Sequence, residues 1–64
     1  MTKAFIEKVI RNGGQYETSN YWYRVNMWRD ACNRPVWVLQ RRNDPAGVWT
    51  KIKDITDTVA TFEG

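Results

Sequence analysis

The sequence contains no histidine and only one cysteine, Cys32. Histidine is the commonest general base and metal ligand in proteins, and a single thiol cannot complete a zinc site. Asp54 and Asp57 stand beside a predicted turn, where carboxylates more often accept backbone N–H groups than take part in a reaction. Gly13 and Gly14 are followed by neither a lysine nor a helix signal, which a phosphate-binding loop would require. We therefore expect no enzymatic activity, no metal and no cofactor.

Long apolar runs are also lacking, so no segment has the length of a signal-peptide core or a transmembrane helix. Cys32 has no second cysteine with which to form an internal disulfide, and nothing else in the sequence points to an oxidising compartment. We expect a cytoplasmic protein without membrane association, in which Cys32 is an unreactive loop thiol.

What the chain does contain is aromatic and basic. With 42% apolar and 14% aromatic residues it is too hydrophobic to stay disordered, and its 64 residues predict a single small domain, 1–64. All four tryptophans and seven of the ten basic residues fall between residues 21 and 53, together with only two acidic residues. This local excess of positive charge is larger than the net charge of +3, and it favours polyanionic or acidic partners.

The central stretch predicts three antiparallel strands. Residues 21–29 lack glycine and proline and are rich in aromatic and β-branched side chains, which favours a strand. A six-residue loop, 30–35, then leads to a second strand at 36–42. Residues 44–47 read Asp-Pro-Ala-Gly, the composition of a type I turn, and a left-handed Gly47 would add a bulge before the third strand.

Each end of the chain allows two structures. In residues 1–11 the β-branched side chains favour a strand, which we expect, whereas the apolar spacing fits one face of a helix. Asn12-Gly13-Gly14 suits either a helix C-terminus or a hairpin turn into a strand at 15–18. Residues 58–62 predict a short closing strand, with a helical turn as the alternative. The fold is therefore predicted to be mainly β, a small antiparallel sheet or partly closed barrel of four or five strands around a three-stranded meander. The alternative is an α+β fold with an N-terminal helix packed on a three-stranded sheet.

The loop lengths predict which residues share a face of the sheet. The six-residue loop places Arg29 opposite Val36, and Arg24 opposite Arg41. The bulged turn places Arg41 opposite Lys51, and Leu39 opposite Lys53. Arg24, Arg41 and Lys51 then form one row, and burying unpaired charges costs several kcal/mol each, so we expect this face to be exposed. It also carries Trp22, Trp28, Trp37, Trp49, Leu39 and Ile55. The other face is the predicted core, with Tyr21, Tyr23, Val25, Met27, Val36, Val38, Val48 and Ile52, and also holds Arg29, Gln40, Arg42, Thr50 and Asp54.

An exposed face of tryptophans and cations predicts binding of single-stranded nucleic acid. Unpaired bases stack on exposed aromatic rings, and cations between the rings neutralise the phosphates. Arg29, Arg34 and Arg42 would add long-range attraction. The predicted binding residues are Trp22, Arg24, Trp28, Trp37, Arg41, Trp49, Lys51 and Lys53.

Three other interpretations use the same residues. Tryptophan and arginine dominate protein interfaces, so the face would also suit a small inhibitor or adaptor, of the phage or mobile-element type, that docks on an acidic surface of a larger enzyme. A homodimer that buries the tryptophan face is another possibility, beside a monomer. In the third, some tryptophans belong to the core and the cations extend past them to solvent. A four-residue second loop would favour this interpretation, since it would move Trp49, Lys51 and Lys53 to the opposite face.

Overall fold

The computed structural model describes residues 2–63 and shows a four-stranded antiparallel sheet with two short helices. The sheet has the order β1-β2-β3-β4, so each strand pairs with its neighbour in the sequence. Both helices pack on one face of the sheet, where they share a core with β2 and β3. The elements are α1 (Lys3–Arg11), β1 (Gln15–Glu17), β2 (Trp22–Arg29), β3 (Pro35–Arg42), β4 (Thr50–Asp54) and α2 (Thr56–Glu63).

The N-terminal segment forms helix α1, so the prediction of a strand over residues 1–11 is wrong. Thr2 is the N-cap, and its side-chain oxygen accepts a hydrogen bond from the Phe5 N–H at 3.2 Å. Ile6 and Val9 are buried on the face that meets the sheet. Their helical spacing and the cap outweigh the β-branched side chains, because packing of an apolar face stabilises a short helix more than intrinsic propensity does.

Asn12-Gly13-Gly14 ends this helix rather than turning a hairpin. The Gly13 N–H donates to the Ile10 carbonyl at 3.2 Å, and the Gly14 N–H donates to the Val9 carbonyl at 3.0 Å. These two bonds form a Schellman motif, which needs a left-handed residue after the helix. Gly13 and Gly14 have φ of 76° and 79°, values that glycine adopts without steric cost. The chain thus leaves α1 directly into the edge strand β1.

The loop between β2 and β3 is one residue shorter than predicted, because Pro35 is already the first residue of β3. The Asn33 N–H donates to the Asp30 carbonyl at 2.9 Å, and Asn33 itself has a φ of 60°. A type I turn followed by a left-handed residue is a common three-residue hairpin loop. The Asp30 carboxylate stabilises it by accepting from the Cys32 and Arg34 N–H groups, both at 2.9 Å.

The shorter loop shifts the register by one residue, so the predicted pairing of Arg29 with Val36 is wrong. Arg29 lies opposite Pro35, and Arg24 lies opposite Gln40 instead of Arg41. Because neighbouring strand residues point to opposite faces, this shift exchanges the two faces of β3 relative to β2.

The second hairpin has the predicted turn but not the predicted bulge. The Gly47 N–H donates to the Asp44 carbonyl at 2.7 Å, as in a type I turn. Gly47 is not left-handed, however, and residues 43–49 all lie outside the strands. The irregularity lies within the pairing of β3 with β4, between Leu39 and Gln40. Leu39 is opposite Lys53, as predicted, but Gln40 is opposite Lys51 and Arg41 is opposite Thr50.

The C-terminal segment forms helix α2, so the predicted closing strand at 58–62 is wrong. The Ile55 N–H donates to the Trp37 carbonyl at 2.8 Å, and Thr56 Oγ1 accepts from the Trp37 N–H at 3.0 Å. These bonds attach the start of α2 to β3. Val59 is then buried against the sheet, and the chain closes over the core as a helix.

Asp54 joins β4 to α2 through its carboxylate, which accepts a hydrogen bond from the Thr56 N–H at 2.9 Å. The backbone N–H of Thr56, and secondly the Thr56 side chain, lower the pKa of Asp54 below its ordinary value of 3.8, and Lys51 adds a smaller attraction. The carboxyl group predicted to cap a turn does so, and its ionised form stabilises the junction.

Asp54→Asn is expected to lower the free energy of unfolding at pH 7 and to have a smaller effect at low pH. A carboxyl whose pKa is lower in the folded state stabilises that state above its unfolded pKa, and this contribution is lost as the pH falls through the folded pKa. Urea unfolding of both proteins at pH 7 and below pH 3.8 measures the difference. The same measurement on Asp57→Asn shows how much comes from a negative charge near α2 alone. A wild-type advantage that does not change with pH would contradict the assignment.

The core lies between the helices and one face of the sheet, which we call the helix face. Tyr23 and Leu39 are buried there, while Tyr21, Val25 and Ile52 are partly buried at its margin. This confirms part of the predicted core and corrects three members of it: Val36 points to the opposite face by the register of β3, Met27 is 38% exposed, and Val48 is 86% exposed. Val38 is fully buried, as predicted, although the register places it on the opposite face. The buried cluster is Ile6, Val9, Tyr23, Leu39, Ile55 and Val59.

Candidate functional site

The sheet face opposite the helices, which we call the open face, carries three of the four tryptophans. Trp22 and Trp28 alternate with the core residues of β2, and so point away from the helices. Trp49, in the β3–β4 loop, reaches the same face, where its ring contacts Arg24 and Arg42. Trp28 is 42% exposed, and Trp22 and Trp49 are partly buried. From β1 to β4, the cross-strand rows of this face are Glu17, Trp22 and Arg42; Gln15, Arg24, Gln40 and Lys51; Asn26, Val38 and Asp54; and Trp28 and Val36.

Of the eight predicted binding residues, five lie on the open face and three do not. Trp22, Arg24, Trp28, Trp49 and Lys51 stay together. Trp37, Arg41 and Lys53 belong to the helix face, because the register of the first hairpin differs by one residue from the prediction. Trp37 packs against the core, and the Arg41 guanidinium lies 4.3 Å from the centre of the Tyr21 ring. Lys53 lies opposite Leu39 with its side chain exposed.

Two guanidinium groups contact the Trp49 ring. The guanidinium carbon of Arg24 lies 4.4 Å from the ring centre, and that of Arg42 lies 4.6 Å from it. Such cation–π contacts stabilise by about 0.5–1 kcal/mol at exposed sites and by more when desolvated. Gln40 orients the first arginine, since its Oε1 accepts from Arg24 Nε at 2.8 Å. Two like charges are therefore held close to one aromatic ring.

Arg42 is the site residue that the sequence prediction placed on the wrong face. Its Nε atom is buried and has no hydrogen-bond partner. An unpaired buried donor on a charged group is costly. The sequence signal for the correct face of Arg42 is Asn33. Asparagine adopts the left-handed conformation more readily than most residues, which permits the shorter loop, and the shorter loop sets the register that places Arg42 opposite Trp22.

An open cleft of about 530 Å³ adjoins this cluster. Its lining comes from the edge strand β1, from the paired ends of β2 and β3, and from Trp49 in the β3–β4 loop. The side chains that line it include Gln15, Glu17, Trp22, Arg24, Arg42 and Trp49.

At the other end of the sheet, the β2–β3 hairpin extends beyond both neighbouring strands. β1 pairs with β2 only as far as Arg24, and β4 pairs with β3 only as far as Val38. We call the extending part, residues 26–36, the hairpin arm. Trp28 and Met27, which is 38% exposed, point to opposite faces of this arm. Arg29, the next residue of β2, donates from Nη1 to the Asn33 carbonyl at 3.3 Å, so the arm also carries a cation.

Two further properties concern residues 2–63, the part that the structure describes. No group of three or more histidine, cysteine, aspartate or glutamate residues is placed to hold a metal ion there. Neither of the two helices in that part has the length and apolar character needed to cross a membrane. Cys32 is a free, exposed thiol in the β2–β3 loop.

Comparison with models of protein families, with curated proteins and with solved structures finds no match for this chain.

Proposed function

We propose that this protein is a non-enzymatic binding protein whose open face binds single-stranded nucleic acid. The observation that carries the proposal is the grouping of Trp22, Trp28 and Trp49 with Arg24, Arg42 and Lys51 on the sheet face that neither helix covers. Stacking of a base on an exposed aromatic ring contributes about 1–3 kcal/mol, and it tolerates any sequence because every base has a π-face. The cations would neutralise phosphates along the same path.

The spacing of these residues suits a flexible strand. Trp22 and Trp28 are six residues apart on β2, which corresponds to about 20 Å at about 3.3 Å per residue. Arg24 lies between them on the same strand, and Lys51 lies two strands away in the same cross-strand row. Stacking positions and cations therefore alternate along the face. Arg29 and Arg34, near the end of the hairpin arm, would extend the positive potential beyond Trp28.

Short single-stranded oligonucleotides are expected to quench the tryptophan fluorescence and to bind less tightly as the salt concentration rises. Trp28→Ala should weaken binding about tenfold, since one stacking contact contributes about 1–3 kcal/mol. Phe62→Ala is the matched control, because Phe62 is also exposed but belongs to α2. Absence of quenching at low salt, or an equal loss in both variants, would contradict the proposal.

The second candidate function is docking on an acidic surface of a larger protein. The hairpin arm favours it, because Trp28 and Met27 are exposed on opposite faces of one two-stranded ribbon that carries Arg29. A protein that encloses the arm would bury both side chains. Nucleic acid on the open face would contact Trp28 but not Met27. Met27→Ala therefore separates the two functions, since it should weaken protein docking and leave oligonucleotide affinity unchanged.

Two further properties belong to the same proposal. A homodimer would bury the open face, so dimer formation should compete with oligonucleotide binding. Sedimentation with and without oligonucleotide distinguishes a dimer from a monomer. We propose a cytoplasmic location, with which the free thiol of Cys32 is compatible.

A further inference from the structure

One carboxylate lies beside the stacking position at the cleft end of the open face. Glu17 on β1 is directly opposite Trp22 on β2, and Trp22 is directly opposite Arg42 on β3. Directly opposed residues share a face, so an acid, an aromatic ring and a base form one cross-strand row. All three line the cleft of about 530 Å³, and Arg24 lines it as well. Trp22 thus has a negative group on one side and positive groups on the other.

The positive side of this row suits a phosphate. Arg24 and Arg42 both contact the Trp49 ring, so their positive charges lie close together and repel each other. A phosphate accepts hydrogen bonds from guanidinium groups in a planar, two-bond geometry, and its charge would offset the repulsion. A nucleotide that stacks its base on Trp22 would place its phosphate within reach of these groups.

The negative side of the row then faces the edge of that base. A carboxylate only accepts hydrogen bonds, so it favours base edges with N–H donors. Guanine offers two adjacent donors, N1–H and the N2 amino group, which match the two carboxylate oxygens. Thymine and uracil offer one N–H between two carbonyl oxygens, and these oxygens would lie close to a negative charge. Adenine and cytosine each offer one amino group, so their affinity for the carboxylate should lie between that of guanine and that of thymine or uracil.

We propose that the cleft is a base-selective subsite, in which a guanine stacks on Trp22, Glu17 accepts hydrogen bonds from its N1–H and N2 amino groups, and Arg24 and Arg42 bind the adjacent phosphate. This inference rests on the proposed function, because it assigns a preference to one part of the same binding face. Trp28, elsewhere on the face, has no carboxylate directly opposite it within residues 2–63, and stacking on its ring is indifferent to sequence. The protein would therefore bind many single strands but place a guanine in the cleft.

The test compares two oligonucleotides of six nucleotides, one all thymidine and one with a single internal deoxyguanosine, by tryptophan fluorescence at low salt. Wild type is expected to bind the guanine-containing strand about tenfold more tightly, since one two-bond base contact contributes about 1–3 kcal/mol of discrimination. Glu17→Gln should strengthen binding of the all-thymidine strand by removing a negative charge. It should also reduce the ratio of the two affinities to about one, since the Gln amide can donate to thymine.

Glu7→Gln on α1 is the control, because it makes the same change of charge away from the open face and should keep the tenfold ratio. Glu17→Thr is a second variant, which suits an edge strand and should also abolish the ratio. Equal affinity of wild type for the two strands would overturn the inference while leaving the proposed function intact, and so would a ratio that survives both Glu17 substitutions. Failure of wild type to bind either strand would overturn both.

Discussion

Replacing Arg24 and Arg42 together by alanine is expected to weaken the binding of single-stranded oligonucleotides about 50-fold at about 50 mM salt. Each phosphate contact to a single strand contributes about 0.7 to the exponent with which affinity falls as salt rises, so two lost contacts remove about 1.4 from it. The structure motivates this pair, because both guanidinium groups contact Trp49 and line the cleft. Fluorescence titrations at three or more salt concentrations give both the affinity and the exponent.

Lys3→Ala with Lys8→Ala is the matched control for this experiment. It removes the same charge from α1, which packs on the helix face, and should change the exponent little. A second comparison replaces both arginines by lysine, which keeps the charge but loses the planar contact with the ring. That variant should retain most of the salt dependence and lose part of the affinity. If the Arg24 and Arg42 double variant and the Lys3 and Lys8 double variant behave alike, general attraction explains the binding and the cleft has no special role.

Leu39→Ala is expected to leave most of the protein unfolded at 25 °C. Leu39 is fully buried on a central strand, in the cluster that joins both helices to the sheet. Truncating a buried leucine to alanine costs about 2–5 kcal/mol. A single core in a domain of this size rarely supplies more than about 3–5 kcal/mol in total, so the loss is comparable to the whole stability. Urea unfolding followed by circular dichroism measures it.

Val48→Ala is the matched control for the core, because Val48 is also an aliphatic residue but lies 86% exposed in the β3–β4 loop. Its effect on the free energy of unfolding should stay within about 0.5 kcal/mol. A cooperative unfolding curve for Leu39→Ala with the wild-type midpoint would show that the core lies elsewhere.

The first two strands of the meander are predictable from the sequence to within one residue, but the start of the third and the register of all three are not. Aromatic and β-branched side chains mark β2 and β3, and Asp44 and Pro45 mark the second turn. The register depends instead on which loop residue adopts a left-handed conformation. The sequence argument assigned that role to Gly47, whereas Asn33 adopts it in the structure. One such residue decides which face of β3 meets the core.

The predicted site survives in part because two register shifts cancel. The shorter first loop moves Arg41 and Trp37 to the helix face. The irregularity in the pairing with β4 then returns Lys51 to the open face, because Lys51 is opposite Gln40 rather than Arg41. Lys53, beyond the irregularity, is not returned. A prediction from loop composition alone has no access to this second shift, since it depends on how β4 packs beside a sheet that is already twisted.

The two helices show a different limit of prediction from the sequence. The segments 3–11 and 56–63 are rich in β-branched residues, and local propensity alone favours strands there. Tertiary packing decides otherwise, because Tyr23 and Leu39 on the helix face need a cover. Helices at both ends supply it with Ile6, Val9 and Val59. Packing on this core, rather than the propensity of the two segments, therefore decides their structure.

The irregular pairing of β4 also bears on how this sheet meets other chains. Regular edge strands with free N–H and C=O groups are templates for strand addition and aggregation, and proteins block them with irregularities, lysines or short length. β4 has both the irregularity and two lysines, Lys51 and Lys53, while β1 at the other edge is three residues long. Both edges are therefore poor templates for a fifth strand, which disfavours edge-to-edge pairing of the sheet with other copies of this chain.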